Sequence, residues 1–91
     1  EVRGEIGRHT ARVKSVAFSP DGEVVASCGD DQTIALWNVR DRARVATIGT
    51  HAAPVLAVAF SPDGRRLVAG GHDHSARVYT RRRRLWGYDM E

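Results

Sequence analysis

Two ten-residue stretches of nearly the same sequence decide the fold: VKSVAFSPDG at residues 13–22 returns as VLAVAFSPDG at residues 55–64. Their phenylalanines lie 60 − 18 = 42 residues apart. Three further pairs keep this offset, namely His9 with His51, Gly29 with Gly71 and Asp31 with Asp73. Apolar residues at the 3.6-residue period of a helix are absent from both stretches. The chain is therefore predicted to be an array of two equivalent units without helices.

Each unit contains short apolar segments typical of β-strands. Residues 13–18 and 55–60 are mostly apolar, as expected of an innermost strand that is covered on both faces. Ser-Pro-Asp-Gly follows each of them, and the chain must reverse there because proline holds φ at about −65° and glycine accepts a left-handed conformation. Further strands are predicted where β-branched, aromatic and small apolar residues cluster, at 24–28, 33–39 and 45–48 and again at 66–70 and 75–80.

A repeat of about 40–45 residues made of short strands is typical of β-propeller blades. We predict an all-β fold with two blades of four antiparallel strands. Blade 1 covers residues 7–48, and residues 49–84 supply three strands of blade 2. By the 42-residue offset, residues 1–6 form an outer strand that completes a neighbouring blade, and residues 85–91 form a fourth strand or a flexible tail. Which of these two segments completes the open blade is left undecided by the sequence.

The amino-acid composition bears on the compartment in which the chain is expected to occur. Its 91 residues contain a single cysteine, Cys28, so an internal disulfide is excluded and a reducing cytoplasmic location is expected. No run approaches the roughly 20 apolar residues of a membrane span, and no membrane partner is expected. The chain starts at Glu1, and we expect it to be an excerpt of a longer protein.

The net charge of +3 comes entirely from the run Arg81–Arg84, since the remaining residues sum to 3 − 4 = −1. The run could contact nucleic acid or an acidic partner. It lacks the interleaved aromatic residues that give single-strand binding sites their stacking platforms. A solvated strand edge is the favoured interpretation, and binding of nucleic acid or an acidic partner through this run is the alternative.

At these residues the chain resembles the WD-repeat β-propeller family. GRH at residues 7–9 and GTH at 49–51 stand where that family has its Gly-His, and TIALWN at 33–38 stands where it ends a blade in Trp-Asp. The resemblance implies a polar network within each blade, made by a histidine, a serine or threonine, an aspartate and a tryptophan. The matching residues are His9, Ser27, Asp31 and Trp37 in blade 1 and His51, Asp73 and Tyr79 in blade 2. In blade 2, Ala69 replaces the serine and Tyr79 the tryptophan, so its network is expected to be incomplete.

The same residue types raise the question of catalysis. Histidine, aspartate and serine together resemble a hydrolase triad, but a nucleophile must be exposed and Ser27 lies within a predicted strand. His72 and His74 offer two metal ligands, fewer than the three or four that a transition-metal site requires. Cys28 has no basic neighbour to activate it. We therefore predict neither enzymatic activity nor a metal or cofactor.

The number of blades and the surface then define the expected function. Closed propellers have about four to eight blades, so two blades need further ones, from copies of the chain or from the rest of a longer propeller. Three or four copies are favoured, giving six or eight blades. The resemblance implies a scaffold that binds proteins or peptides across its top face. The residues at the matching positions are Arg12, Lys14, Asp30, Leu56 and His72.

Overall fold

A computed structural model of the chain describes Gly7, His9 and residues 11–48, 53–81 and 88–90, the last three through their backbone alone. Two antiparallel four-stranded sheets make up the described residues, with the strands of each sheet hydrogen-bonded in sequence order. Sheet 1 comprises β1 (Val13–Phe18), β2 (Val24–Gly29), β3 (Ile34–Asn38) and β4 (Ala43–Ile48). Sheet 2 comprises β5 (Val55–Phe60), β6 (Arg66–Gly71), β7 (Ala76–Arg81) and β8 (Tyr88–Met90). The predicted all-β fold with blade-like antiparallel sheets is confirmed.

The outer strand of sheet 2 belongs to this chain. Tyr88–Met90 pairs with β7 through Tyr79↔Met90, Thr80↔Asp89 and Arg81↔Tyr88. The predicted outer strand at residues 1–6 lies outside the described residues. The proposed boundaries between the two blades and their flanking strands stay predictions. The described part of the chain has no helix long and apolar enough to cross a membrane.

The Ser-Pro-Asp-Gly turns close the same end of both sheets. In the first turn the Ser19 hydroxyl donates to Asp21 Oδ1 at 2.6 Å and the Glu23 amide donates to the same oxygen at 2.9 Å. These two hydrogen bonds lower the pKa of Asp21, the serine bond contributing most. Gly22 has φ +74°, and Gly64 has φ +73° in the second turn, so the predicted left-handed glycines are confirmed. This end is called the bottom, and the end where β1 and β5 begin is called the top.

Each sheet has two faces, since paired residues of antiparallel strands point to the same side. The forward face is defined by Ser15, Ala17, Ala26, Cys28, Ile34 and Leu36 in sheet 1 and, 42 residues on, by Ala57, Ala59, Val68, Gly70, Ala76 and Val78 in sheet 2. The rear face is defined by Val16, Phe18, Val25, Ser27, Ala35 and Trp37 in sheet 1 and by Val58, Phe60, Leu67, Ala69, Arg77 and Tyr79 in sheet 2.

The main core lies where the forward face of sheet 1 packs on the rear face of sheet 2. Ala26, Cys28 and Leu36 from sheet 1 share one buried cluster with Leu67 and Tyr79 from sheet 2. The Val58 amide also donates to the Ser15 hydroxyl across the two sheets, at 3.4 Å. Both sheets therefore contribute to this main core. A second, smaller buried cluster on the rear face of sheet 1 consists of Val25, Ala35 and Trp37.

The expectation that residues 13–18 and 55–60 are covered on both faces is wrong for both strands. In β5 the forward-face residues Ala57 and Ala59 are exposed. Val16 is 62% exposed and Phe18 is 66% exposed. Their equivalents in β5 behave differently: Val58 is buried and Phe60 packs partly buried against the core. The reason is that sheet 1 covers the rear face of β5, whereas no further sheet lies against the rear face of β1 among the described residues.

Gly29 allows a close approach of two backbones, which gives a test of the packing. A Cβ at Gly29 would collide with the carbonyl oxygen of Arg12, whereas a Cβ at Gly70 would meet nothing within 4 Å. We expect Gly29→Ala to destabilise the chain by on the order of 2 kcal/mol, because backbone must move. Gly70→Ala, the control, should change stability by less than about 1 kcal/mol. Thermal and urea unfolding measure both, and equal effects would contradict this backbone placement.

Candidate functional site

His9 lies at the centre of a buried polar network on the rear face of sheet 1. Its side chain is 1% exposed. Nδ1 lies 2.7 Å from Asp31 Oδ2, and Nε2 lies 2.5 Å from Ser27 Oγ. A carboxylate can only accept hydrogen bonds, so Nδ1 carries a proton and donates it to Asp31. The ring thereby joins the segment before β1 to the turn between β2 and β3.

Ser27 links this histidine to Trp37. The indole Nε1 of Trp37 donates to Ser27 Oγ at 2.7 Å, and an indole N–H can only donate. A hydroxyl can accept and donate at the same time, so Ser27 Oγ bridges the Trp37 indole and His9 Nε2. The rings of His9 and Trp37 meet edge to face at a centroid distance of 6.3 Å. Gly7 packs so closely on the indole that a Cβ there would overlap it.

Asp31 is held by the turn that contains it. The amide of Thr33 donates to Asp31 Oδ1 at 3.1 Å and the Thr33 hydroxyl donates at 2.8 Å. Burial raises the pKa of Asp31, but the hydrogen bonds from Thr33 and His9 together outweigh burial and leave the pKa below its ordinary 3.8. The carboxylate is therefore the form that this network stabilises.

Two members of this site were missed from the sequence. Thr33 could have been found, because a threonine two residues after an aspartate is typical of a side-chain-capped turn. Arg44 places its guanidinium 4.6 Å from the centroid of the Trp37 ring, and its Nη1 donates to Thr47 Oγ1 at 3.3 Å. Arg44 reaches Trp37 because the β3–β4 register shifts between Leu36 and Trp37, and a bulge of this kind has no signal in the sequence.

Sheet 2 caps the equivalent turn in the same way, with Ser75 at the position of Thr33. Asp73 accepts from the Ser75 hydroxyl at 2.5 Å and from the Ser75 amide at 3.2 Å. Arg77 Nη2 lies 3.5 Å from Asp73 Oδ2, and Arg77 stands at the position of Ala35 in sheet 1. Tyr79 is buried, and this burial raises the pKa of its hydroxyl. His51 lies outside the described residues.

The His9, Asp31 and Ser27 geometry has the order of a hydrolase triad but not its accessibility. Ser27 lies in the middle of β2 and is 4% exposed. Its oxygen already accepts the Trp37 N–H and is also hydrogen-bonded to His9 Nε2. A substrate carbonyl would have to reach this oxygen through the packed rear face of sheet 1. What the arrangement does is pin the segment before β1, strand β2, the second turn and strand β3 together.

The described part of the chain contains neither a cluster of metal ligands nor a reactive thiol. No group of three or more histidine, cysteine, aspartate or glutamate side chains is positioned there to hold a metal ion. Cys28 is fully buried, and desolvation raises the pKa of its thiol to about 11. A raised pKa keeps sulfur protonated and therefore unreactive at neutral pH.

The five residues predicted to bind proteins lie together at the top of the two sheets. Lys14 Nζ is 4.0 Å from Asp30 Oδ1 in sheet 1. The amide of Asp30 donates to the Arg12 carbonyl at 2.9 Å, and the equivalent bond in sheet 2 joins His72 to Pro54 at 2.9 Å. Apart from Asp30, which is half-buried, these residues are exposed: Arg12, Lys14, Leu56 and His72. Their roles in binding stay predictions.

The arginine run is described only in part. Arg81 ends β7 and is exposed, while residues 82–84 lie outside the described residues. The alternative function through Arg81–Arg84 therefore stays a hypothesis from sequence.

The described residues form two consecutive four-stranded antiparallel sheets that pack face to face, and a buried His–Ser–Asp–Trp network connects the strands of the first sheet. These features define the class of β-propeller blades. The family model described as "WD domain, G-beta repeat" matches residues 1–38 and 42–80. The chain belongs to the WD40 family, and the resemblance read from its sequence is confirmed.

Individual relatives match one part of the chain each. A subunit of chromatin assembly factor 1 from Gallus gallus is 51% identical over 41 residues, which are 45% of this chain and 7% of that protein. The probable cytosolic iron-sulfur protein assembly protein Ciao1 of Anopheles gambiae is 50% identical over 36 residues, 40% of this chain and 11% of its own length. Cell division cycle 20.6, cofactor of APC complex, of Arabidopsis thaliana is 54% identical over 35 residues, 38% of this chain and 8% of that protein. The matched segments are thus small fractions of the relatives' lengths.

The shared Ser27 hydroxyl predicts coupling between its two partners. Ser27→Ala leaves the Trp37 N–H and His9 Nε2 buried without this partner and should cost about 1–3 kcal/mol. Trp37→Phe keeps an aromatic ring and removes the N–H. In a double-mutant cycle, the double variant should lose less stability than the sum of the single variants, by at least about 0.5 kcal/mol. Strict additivity in urea unfolding would contradict the shared hydrogen bond.

The lowered pKa of Asp31 predicts an acid-dependent contribution to stability. A carboxyl whose folded pKa lies below its unfolded value stabilises the fold fully above the unfolded value, here about 3.8, and loses this contribution as pH falls through the folded pKa. The free-energy difference between the native chain and Asp31→Asn should therefore shrink below about pH 4. Urea unfolding from pH 7 to pH 2 measures it, and a difference that is constant across this range would contradict the assignment.

Proposed function

We propose that this chain is a non-catalytic protein-interaction module, a segment of a scaffold that binds proteins or peptides across the top of its blades. The single observation that carries the proposal is the placement of four exposed side chains at the same end of the two sheets: Arg12, Lys14, Leu56 and His72. Backbone hydrogen bonds fix the segments that display them, so a partner meets a preformed surface and little ordering entropy is lost on binding.

The relatives support this class of function by what their names state. They include a subunit of a chromatin assembly factor, an iron-sulfur protein assembly protein and a cofactor of the APC complex. Each of these three is named for a role in assembly or as a cofactor of a complex. We carry over only the general property of binding other proteins, since the matches cover short segments of these relatives.

The absence of catalysis is part of the proposal and rests on accessibility. The one histidine–aspartate–serine arrangement in the described residues is enclosed by β2, β3 and Gly7. Its hydrogen bonds are all satisfied internally, which is the arrangement of a buried polar group that stabilises a fold.

We further propose that the working object is a closed ring in the cytoplasm, made of three or four copies of the chain. Copies with two blades each give six or eight blades, within the range of about four to eight for closed propellers. A buried free thiol at Cys28 fits a reducing compartment. The remainder of a longer propeller chain is the alternative source of the missing blades.

Peptide selection tests the proposed binding surface. Peptides selected from a random library on the immobilised chain should bind with affinities that fall at least tenfold in Lys14→Ala and in Leu56→Ala. Arg65→Ala, an exposed substitution at the bottom of sheet 2, is the matched control and should leave affinity within about twofold. Fluorescence anisotropy with labelled peptides measures this. Affinities lost in the control and kept in both top variants would contradict the proposal.

A further inference from the structure

Each end of the array has an exposed apolar area on its outer sheet face, which on the rear face of sheet 1 is confined to β1, since the rear-face residues of β2 and β3 are buried. At one end the rear face of sheet 1 exposes Val13, Val16 and Phe18 along β1. At the other end the forward face of sheet 2 exposes Ala57, Ala59 and Val68, the last being 43% exposed. On its paired positions in β5, β6 and β7 this forward face carries one ionisable side chain, Arg66, which pairs with Thr80 at the bottom end. Contiguous apolar surface of this kind is typical of an interaction site.

The internal repeat shows what the exposed residues of β1 fit. Their equivalents 42 residues on are identical: Val55 for Val13, Val58 for Val16 and Phe60 for Phe18. In sheet 2 these three side chains are covered, with Val55 fully buried and Val58 nearly so, and Phe60 packed against the core cluster. What covers them is sheet 1, through its forward face. The three side chains of β5 are therefore covered by a forward face within the chain, whereas no described sheet covers their equivalents on β1.

The forward face of sheet 2 is apolar at most of the register positions that form that cover in sheet 1. Ala59 is identical to its equivalent Ala17, and Val68 and Val78 replace Ala26 and Leu36 with other apolar side chains. The polar Ser15 becomes Ala57, and Cys28 and Ile34 become the smaller Gly70 and Ala76. At the bottom end of this face Val24 becomes Arg66, whose long aliphatic stem can lie along apolar surface while its guanidinium stays in water. The aliphatic residues of this forward face stand at the same register positions as their equivalents in sheet 1. They can therefore pack on Val13, Val16 and Phe18 as sheet 1 packs on β5.

We propose that a second copy of this chain covers the exposed faces, the forward face of sheet 2 in one copy packing on Val13, Val16 and Phe18 of the next. The contact repeats the packing of sheet 1 on sheet 2, so it continues an interface the chain already has. It is heterologous, joining two different surfaces, and such contacts form rings when the rotation closes. The inference rests on the proposed ring and names its interface.

Solution mass is the first test. Light scattering or native mass spectrometry of the 91-residue chain should give a multiple of 10.0 kDa, three- or fourfold if the ring closes. A mass that rises steadily with concentration would keep this interface and contradict closure. A folded monomer at about 100 µM would overturn the interface. It would leave the binding function standing if selected peptides still bind at Lys14 and Leu56.

A pair of variants tests which face meets which. Val68→Asp places a charge on the forward face of sheet 2 and leaves the rear face of sheet 1 unchanged. Val16→Asp places a charge on the rear face of sheet 1 and leaves the forward face of sheet 2 unchanged. Both side chains are exposed in the single chain, so each variant should fold and run as a monomer. Arg40→Asp, which adds a carboxylate at an exposed residue in the β3–β4 turn, is the matched control and should assemble like the native chain.

Mixing the two variants gives the decisive outcome. The intact forward face of Val16→Asp should pack on the intact rear face of Val68→Asp, and no second contact can form. The mixture should therefore show a one-to-one complex of twice the single-chain mass, which neither variant forms alone. Assembly that survives in both single variants, or two monomers that stay apart when mixed, would overturn the proposal. Since a misfolded variant cannot supply its intact face, circular dichroism of each variant alone accompanies the measurement.

Discussion

The packing of one sheet face on the next is the interaction on which the rest of this structure depends. A four-stranded antiparallel sheet of this size has apolar residues on both faces, because side chains alternate along each strand and both sets are apolar here. The contact between sheets 1 and 2 gathers into one region the largest of the fully buried side chains among the described residues, Ile34, Leu36, Leu67 and Val55. The strands, turns and polar network serve to present these faces at the right spacing.

The turns that contain Asp31 and Asp73 share a cap from Thr33 or Ser75, and their other described contacts differ. In sheet 1 the aspartate of the turn reaches a buried histidine and, through Ser27, the indole of β3. In sheet 2 the serine position is the buried Ala69, and among the described residues Asp73 also lies close to Arg77. The first arrangement links segments distant in sequence, whereas the second links residues four apart in the chain. An ion pair at the surface is screened by water and contributes little to the free energy of unfolding. We therefore expect the buried network to contribute more to this free energy than the Asp73–Arg77 pair.

Local features of the fold could be predicted from the sequence, and relations between sheets could not. Proline and glycine restrict φ within the turn itself, so Gly22 and Gly64 follow from four letters of sequence. Strand ends differ from prediction by one or two residues, as at Ala43 rather than Val45, because apolar patterning does not include the polar ends of a ladder. The exposure of Phe18 escaped prediction for another reason: its pattern is that of a core residue, and burial depends on which sheet lies against it.

The exposure of β1 shows that the repeated sequence alone does not determine which residues are buried. Val16 and Val58 are the same residue in the same strand of equivalent sheets, yet one is exposed and the other is buried. The repeat therefore specifies a surface that fits another sheet, and the number of sheets present decides whether that fit is used. If copies of the chain supply the missing sheets, folding free energy becomes linked to concentration, since binding that favours the native state stabilises it by mass action. The stability of a two-blade chain is then a property of the assembly rather than of the single molecule.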